Sequence, residues 1–132
     1  MERKVYVLNE KDEKAIQLLV ELGVPRNVAK TLLYISSAVE CHSAEIEYGA
    51  ELRQPEVSIA IKQMKEKGWV KEYHVKRKKG KGRPIHVYRL SKPLSAIVEE
   101  IKRDKMKELK TIEENISKLE KLLSSKLEGK MS

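Results

Sequence analysis

The pattern change at Gly68, where an amphipathic helical segment passes directly into β-forming sequence, constrains the fold most. In the run PEVSIAIKQMKEKG the apolar residues recur on one helical face. These residues are Val57, Ala60, Ile61 and Met64. Gly68 suits the C-terminal stop of that helix. WVKEYHVKRKK, GKGR and PIHVYRL follow, which are two extended runs around a glycine-containing connection. The sequence therefore predicts a helix that leads into a β-hairpin.

Three more helices are predicted before this one. Asn9 suits the N-cap of the first helix, and Gly23 suits its end. The second helix covers about residues 25–39, with proline at its start. Ser43 suits the N-cap of a short third helix, and the fourth begins at Gln54. The third and fourth helices, joined by a short turn, predict a helix-turn-helix.

The segment from Pro93 onward predicts one long helix. Its apolar residues are spaced three, four, three and four apart between Leu109 and Leu123, which is a short a/d seam, and Ile101 belongs to an earlier apolar face. A helix of this length with a narrow stripe has too little of its own domain to pack against, so a second copy of the chain is the simplest partner. The predicted dimerisation residues are Ile101, Leu109, Ile112, Ile116, Leu119 and Leu123. We therefore predict one compact domain with a short N-terminal extension at residues 1–92, followed by a long helix for dimerisation at residues 93–132.

Positive charge is concentrated in one stretch of the chain. The 132 residues carry a formal net charge of +8, and the range 71–83 holds seven cations against one acid. The range 93–128 holds eight cations and eight acids. Concentrated positive charge attracts polyanions, so the basic stretch around KRKKGKGRP is the first candidate for a nucleic-acid contact.

The order of these elements, together with two sequence runs, resembles a known superfamily. SAEIEYGAELRQPEVSIAIKQMKEKGWV, followed by a basic hairpin with GRPIHVYRL, is similar to the DNA-binding domains of the MarR, TrmB and ArsR winged-helix regulators, above all the archaeal ones. Family core positions fall on Ile46, Leu52, Val57, Ile61 and Met64. The implied fold is mainly α with a small β-hairpin (α+β), a winged helix-turn-helix followed by a long C-terminal dimerisation helix.

The sequence departs from the family pattern at two positions. Glu47 stands where a small residue is common, and Glu51 stands where the turn between the two helices often has glycine. Both departures concern the geometry of the turn.

The resemblance implies that a helix at about residues 55–67 enters the major groove of duplex DNA. With the apolar stripe turned inward, the residues left outward are Gln54, Glu56, Ser58, Ile59, Lys62 and Gln63. The wing at about residues 76–84 would contact the backbone or the minor groove through Lys76, Arg77, Lys78, Lys79, Lys81 and Arg83. Arg83 is the best candidate for insertion, because a narrow A·T-rich minor groove attracts arginine.

Other site classes find little support in the sequence. No phosphate-binding GxxxxGK[ST] motif occurs, and the scattered carboxylates form no catalytic constellation, so we expect no enzyme and no cofactor. His74 and His86 could face each other across the hairpin, which is also what ordinary cross-strand packing would give. Cys41 is the single cysteine, which leaves no zinc-binding CxxC, and we expect no metal site and a small interior or surface thiol.

The expected function is a cytoplasmic, homodimeric transcriptional regulator that binds double-stranded DNA, with no membrane segment. Nothing in the sequence identifies a small-molecule effector. Two alternatives remain open: a winged-helix protein-interaction module and a sequence-tolerant chromatin architectural protein.

Overall fold

The computed structural model describes residues 7–75 and 85–131, with side chains as far as residue 126. Its elements in chain order are α1 (Glu10–Glu21), α2 (Arg26–Ala38), β1 (Cys41–His42), α3 (Ser43–Gly49), α4 (Gln54–Glu66), β2 (Val70–Val75), β3 (Ile85–Leu90) and α5 (Leu94–Met131). The chain divides into two compact units, Met1–Leu94 and Ser95–Ser132. The four helices, the hairpin and the long last helix were all predicted from the sequence, whereas the domain boundary after residue 92 stays a prediction.

Local backbone chemistry fixes the start of α1. The Asn9 side chain accepts a hydrogen bond from the backbone N–H of Asp12 at 2.9 Å, and the Asp12 carboxylate accepts one from the Asn9 N–H at 2.9 Å. This reciprocal capping box satisfies two N–H groups at the helix start, as predicted for Asn9.

The end of α4 is set by Gly68, whose φ is +73°. Its N–H donates to the Lys65 carbonyl at 3.0 Å, and the Trp69 N–H donates to the Met64 carbonyl at 2.9 Å. These two bonds form a Schellman motif, which requires a left-handed residue at the position after the cap. The predicted stop is confirmed, and the chain turns there into β2.

The predicted N-cap of α3 is wrong by one residue. His42 is the N-cap, and Ser43 is the first residue of the helix. The Glu45 carboxylate accepts the His42 backbone N–H at 3.1 Å, while the Ser43 hydroxyl hydrogen-bonds the Tyr88 side chain. The Ser43 side chain therefore has a partner in the sheet and does not cap the helix.

The three strands form an antiparallel sheet in the order β1-β3-β2. In the hairpin, Val70 pairs with Leu90 and Val75 pairs with Ile85. The two-residue strand β1, in which Cys41 pairs with Tyr88, adds to the far side of β3. The sequence did not predict β1.

The core of the first unit is built around α2. Buried side chains of α2 pack with those of α1, α3 and α4. The largest fully buried ones in this unit are Tyr34, Ile16, Leu32, Ile35, Ile46, Met64, Val28 and Val57. Cys41 is also fully buried, which agrees with the interior thiol that was one of the two expectations for it. The buried face of α4 thereby holds that helix with its opposite face directed to solvent.

Candidate nucleic-acid interface

One face of α4 is buried and the other is free for a ligand. The buried residues are the four of the predicted stripe, Val57, Ala60, Ile61 and Met64. The exposed residues include five of the six predicted contact residues, Gln54, Ser58, Ile59, Lys62 and Gln63. Ile59 is 59% exposed, which is unusual for a large apolar side chain on a helix with a well-formed core face. The outward surface of α4 thus combines amide, hydroxyl, ammonium and aliphatic groups.

Glu56, the sixth predicted contact residue, has a structural partner. One carboxylate oxygen accepts the backbone N–H of Arg53 at 2.8 Å, and the other accepts the Asn27 side-chain amide at 3.4 Å. Glu56 is half-buried and closes the N-terminus of α4 against α2. Both of its oxygens thus accept protein donors, which gives Glu56 a structural role at the start of α4, and its contact with DNA stays a prediction.

Two exposed side chains on either side of the turn between α3 and α4 were not predicted as contact residues. Tyr48 is 70% exposed at the end of α3, and Arg53 is exposed immediately before α4. Arg53 could have been predicted from the sequence as a phosphate contact, because it is a cation beside the N-terminus of a helix expected to contact DNA. Tyr48 carried no comparable signal, since an aromatic residue in a short helix usually predicts a core position.

The hairpin strands are described, but the connection between them is not. β2 ends at Val75 and β3 begins at Ile85, so the predicted wing residues Lys76, Arg77, Lys78, Lys79, Lys81 and Arg83 lie outside the described residues. In sequence all six stand between two paired strands. The strands themselves expose Lys71, Tyr73 and Arg89.

Glu72 is the centre of a polar cluster on one face of the hairpin. Lys65 of α4 lies 3.2 Å from its Oε2, His86 Nδ1 lies 3.4 Å from its Oε1, and His74 Nε2 lies 3.8 Å from its Oε2. Burial raises the pKa of Glu72, but hydrogen bonds from Lys65 and Tyr88 and the charges of Lys65 and His86 outweigh burial and leave the pKa below its ordinary value. The cluster ties β2 to α4 and to β3.

Tyr88 lies on the same face as this cluster. Burial raises the pKa of its hydroxyl most, and the hydrogen bond with Ser43 lowers it; the hydrogen bond and charge of Glu72 raise it again, so the pKa lies above its ordinary value. The hydroxyl is therefore a neutral donor that holds the Glu72 carboxylate in place.

A cleft of about 380 Å³ lies beside the start of α4. Its lining includes Gln54 of α4, His42 and Ser43 at the start of α3, and Glu72 and His86 of the hairpin. The first outward residue of α4 and the polar cluster of the hairpin therefore share one surface.

The second unit contains the predicted seam on α5. Five of the six predicted dimerisation residues are 41–54% exposed, namely Leu109, Ile112, Ile116, Leu119 and Leu123. Leu122 and Met106 are exposed as well. Ile101, on the earlier apolar face, differs because it is only 7% exposed in the single chain, and its part in dimerisation stays a prediction. Among the described residues, no helix is both long and apolar enough to cross a membrane.

The fold was compared with known proteins. Neither family models nor curated proteins give a sequence match. Solved structures do match at low identity, and the first is TrmBL2, an archaeal chromatin protein described as showing a novel mode of DNA binding. It has a TM-score of 0.57 and 16% identity over 89% of this chain, which spans only 45% of the TrmBL2 chain.

Two further structures match over most of both chains. A possible transcriptional regulator from Methanosarcina mazei has a TM-score of 0.55 and 12% identity, covering 85% of this chain and 98% of its own. A mutant of MepR from S. aureus bound to an oligodeoxyribonucleotide has a TM-score of 0.51 and 21% identity, covering 88% and 89%. The chain therefore has the winged-helix fold of the MarR-family and TrmB-like regulators that its sequence resembles, with α3 and α4 as the helix-turn-helix and β2 and β3 as the wing strands.

Proposed function

We propose that this chain is a sequence-specific, double-stranded DNA-binding transcriptional regulator of the cytoplasm that acts as a homodimer and catalyses no reaction. The observation that carries the proposal is the outward face of α4. On a winged-helix scaffold that face is the one that enters the major groove, and here it presents Gln54, Ser58 and Lys62 to solvent.

Each of these side chains has a contact suited to DNA. The Gln54 amide can bond adenine through two hydrogen bonds, and the Ser58 hydroxyl can bond bases or phosphates. Ile59 is an apolar residue without a core role, and it fits against a thymine methyl group. Lys62 supplies a charge for the backbone. The polar groups near the start of the helix would specify sequence, and the cations would supply affinity.

The wing would supply most of the positive charge of the proposed DNA-binding surface. Six cations in residues 76–84 follow directly after the described end of β2. In this proposal they bind phosphates, and Arg83 also reads the width of the minor groove. Two copies joined through α5 would present two recognition helices to successive major grooves about 34–36 Å apart, so the binding site would be roughly palindromic.

The test is a fluorescence anisotropy titration at several salt concentrations. The duplex would be selected by the protein from a random pool, and a scrambled duplex would serve as the reference. We expect log Kd to rise by about 0.9 per log unit of salt for each neutralised phosphate. Lys79→Gln should reduce that slope by about 1, whereas Lys110→Gln on the exposed face of α5 should leave it unchanged. Absence of salt-dependent duplex binding would rule the proposal out.

A second candidate function is sequence-tolerant chromatin architecture. The structural likeness to TrmBL2 favours it, because that protein is an archaeal chromatin protein. The same titration separates the two candidates. A regulator binds the selected duplex at least about 1,000-fold more tightly than the scrambled one, whereas an architectural protein binds both with similar affinity.

A further inference from the structure

We propose that Glu72, His74 and His86 form a binding site for one divalent transition-metal ion, of the Zn²⁺ class, at the base of the hairpin. The proposal rests on the register of the two strands and on the distances between the three side chains. It does not depend on DNA binding.

The register brings the three residues to one face of the sheet. His74 of β2 is directly opposite His86 of β3, and Glu72 precedes His74 by two residues. Side chains two apart in a strand point to the same face, and directly opposed residues are cross-strand neighbours. The imidazole rings are accordingly 4.4 Å apart between centroids, tilted by 58°.

The donor atoms are close to the separation that a metal ion requires. Nitrogen and oxygen ligands bind Zn²⁺ at about 2.0–2.2 Å, so two ligands of a tetrahedral ion stand about 3.4 Å apart. Glu72 Oε1 and His86 Nδ1 are 3.4 Å apart, and one donor atom from each of the three residues lies within 4.8 Å of the other two. Small rotations of the exposed His74 side chain would complete the triangle.

The donor set decides the class of metal. Two imidazoles and one carboxylate suit zinc, copper and nickel, whereas Ca²⁺ and Mg²⁺ prefer oxygen ligands alone. Three protein ligands leave one tetrahedral position for water. Both histidines are more than half exposed, so an ion reaches them directly from solvent.

Neighbouring groups hold the carboxylate in position. The Tyr88 hydroxyl hydrogen-bonds Glu72, and Lys65 contacts Oε2 at 3.2 Å. Oε1 is the oxygen nearest His86, whereas Lys65 contacts Oε2. Such outer contacts orient a metal ligand, although the Lys65 charge opposes the ion and lowers its affinity. We therefore expect micromolar rather than nanomolar binding.

The position of the site gives it a structural role. The ion would bridge β2 and β3 one residue before β2 ends and one residue after β3 begins. Two of its three ligands, Glu72 and His86, line the cleft that Gln54 also lines. It would thus fix the base of the wing beside the start of α4.

Isothermal titration calorimetry with ZnCl₂ on the full, tag-free chain tests the proposal. We expect one ion per chain, and at least about tenfold weaker binding for His74→Gln and for His86→Gln. His42→Gln is the matched control, because His42 lies in the same cleft but pairs with Glu45 at 3.3 Å. Its affinity should stay within about twofold of wild type.

Two further measurements make the result decisive. Circular dichroism should show that all three variants fold, and Co²⁺ should give the visible absorption of a histidine-bound ion in wild type but not in His86→Gln. The proposal is overturned if the wild-type chain shows no saturable binding at one ion per chain. It is also overturned if the His74 and His86 variants bind as tightly as wild type, or if His42→Gln loses as much affinity as they do.

Discussion

Glu51 lies in the turn between α3 and α4 with a φ of +53°. A residue with a Cβ atom is strained in this left-handed region by about 1–2 kcal/mol, whereas glycine is not. We expect Glu51→Gly to raise the free energy of unfolding by about 0.5–1 kcal/mol in urea denaturation, after subtraction of the greater flexibility that glycine gives the unfolded chain. Glu51→Ala keeps the Cβ atom and should change stability by less than about 0.5 kcal/mol. A glycine variant less stable than the alanine variant would contradict this account of the turn.

Substitutions at two positions in the first turns of α4 should distinguish a residue that stabilises the fold from one that contacts DNA. Glu56→Ala removes the acceptor of the Arg53 N–H and the Asn27 amide, so we expect a loss of about 1 kcal/mol in the free energy of unfolding and little change in sequence preference. Ser58→Ala removes an exposed hydroxyl and should leave stability within about 0.5 kcal/mol while altering sequence preference. Denaturation and selection from a random duplex pool measure the two effects. A change in sequence preference in the Glu56 variant, with full stability, would instead show that Glu56 acts as a DNA contact.

In the wing, the contribution of positive charge to affinity should be separable from the recognition of minor-groove width. Arg83→Ala is expected to weaken binding and to reduce the preference for A·T pairs beside the main site, because arginine favours a narrow minor groove. Lys79→Ala is its partner variant and should weaken binding to all sequences alike, as a phosphate contact does. Anisotropy with A·T-rich and G·C-rich flanks makes the comparison. An equal loss of affinity for duplexes with A·T-rich and G·C-rich flanks in Arg83→Ala would mean that this residue contacts phosphate only.

The long elements were predictable from the sequence because their signals are local. Asn9 with Asp12, and Gly68 after an apolar stripe, each report a helix end within a few residues. Strand β1 has only two residues and exists through its pairing with Tyr88 and Val87, far along the chain, so no local pattern could reveal it. The second hydrogen bond of Glu56 comes from Asn27 of another helix, and no local pattern reveals that contact.

The proposed metal site also depends on contacts between residues that are distant in sequence, here across the two strands of the hairpin. From the sequence alone, His74 and His86 could face each other across the hairpin, which ordinary cross-strand packing would also give. Their direct pairing, and the place of Glu72 beside them, follow from the register between β2 and β3. A shift of one residue would send these side chains to opposite faces, and the sequence of the connection does not settle that register.

At the scale of the whole molecule, the apolar seam of α5 remains exposed to solvent in a single chain. We expect the protein to sediment at twice its 15.2 kDa chain mass, because a seam spaced three and four apart is the pattern of paired helices. Ile112→Glu with Ile116→Glu should give a monomer, because two carboxylates would lie in the seam of each chain. The control pair is Lys110→Glu with Lys118→Glu, which makes a larger charge change at exposed positions on the helix face away from the seam and should remain dimeric.

The monomeric variant also tests how the two halves of a binding site cooperate. Ile112 and Ile116 are exposed in α5, and the winged-helix unit ends at Leu94, so the variant should keep that unit folded and still bind a half-site. On a full site its affinity should fall by about 100-fold or more, because the second half-site no longer benefits from the effective concentration that dimerisation provides. The control pair should bind the full site within about tenfold of wild type. A wild-type monomer, or a double variant that remains dimeric, would exclude the seam as the dimer contact, and a monomer with undiminished full-site affinity would show that each chain reads its site alone.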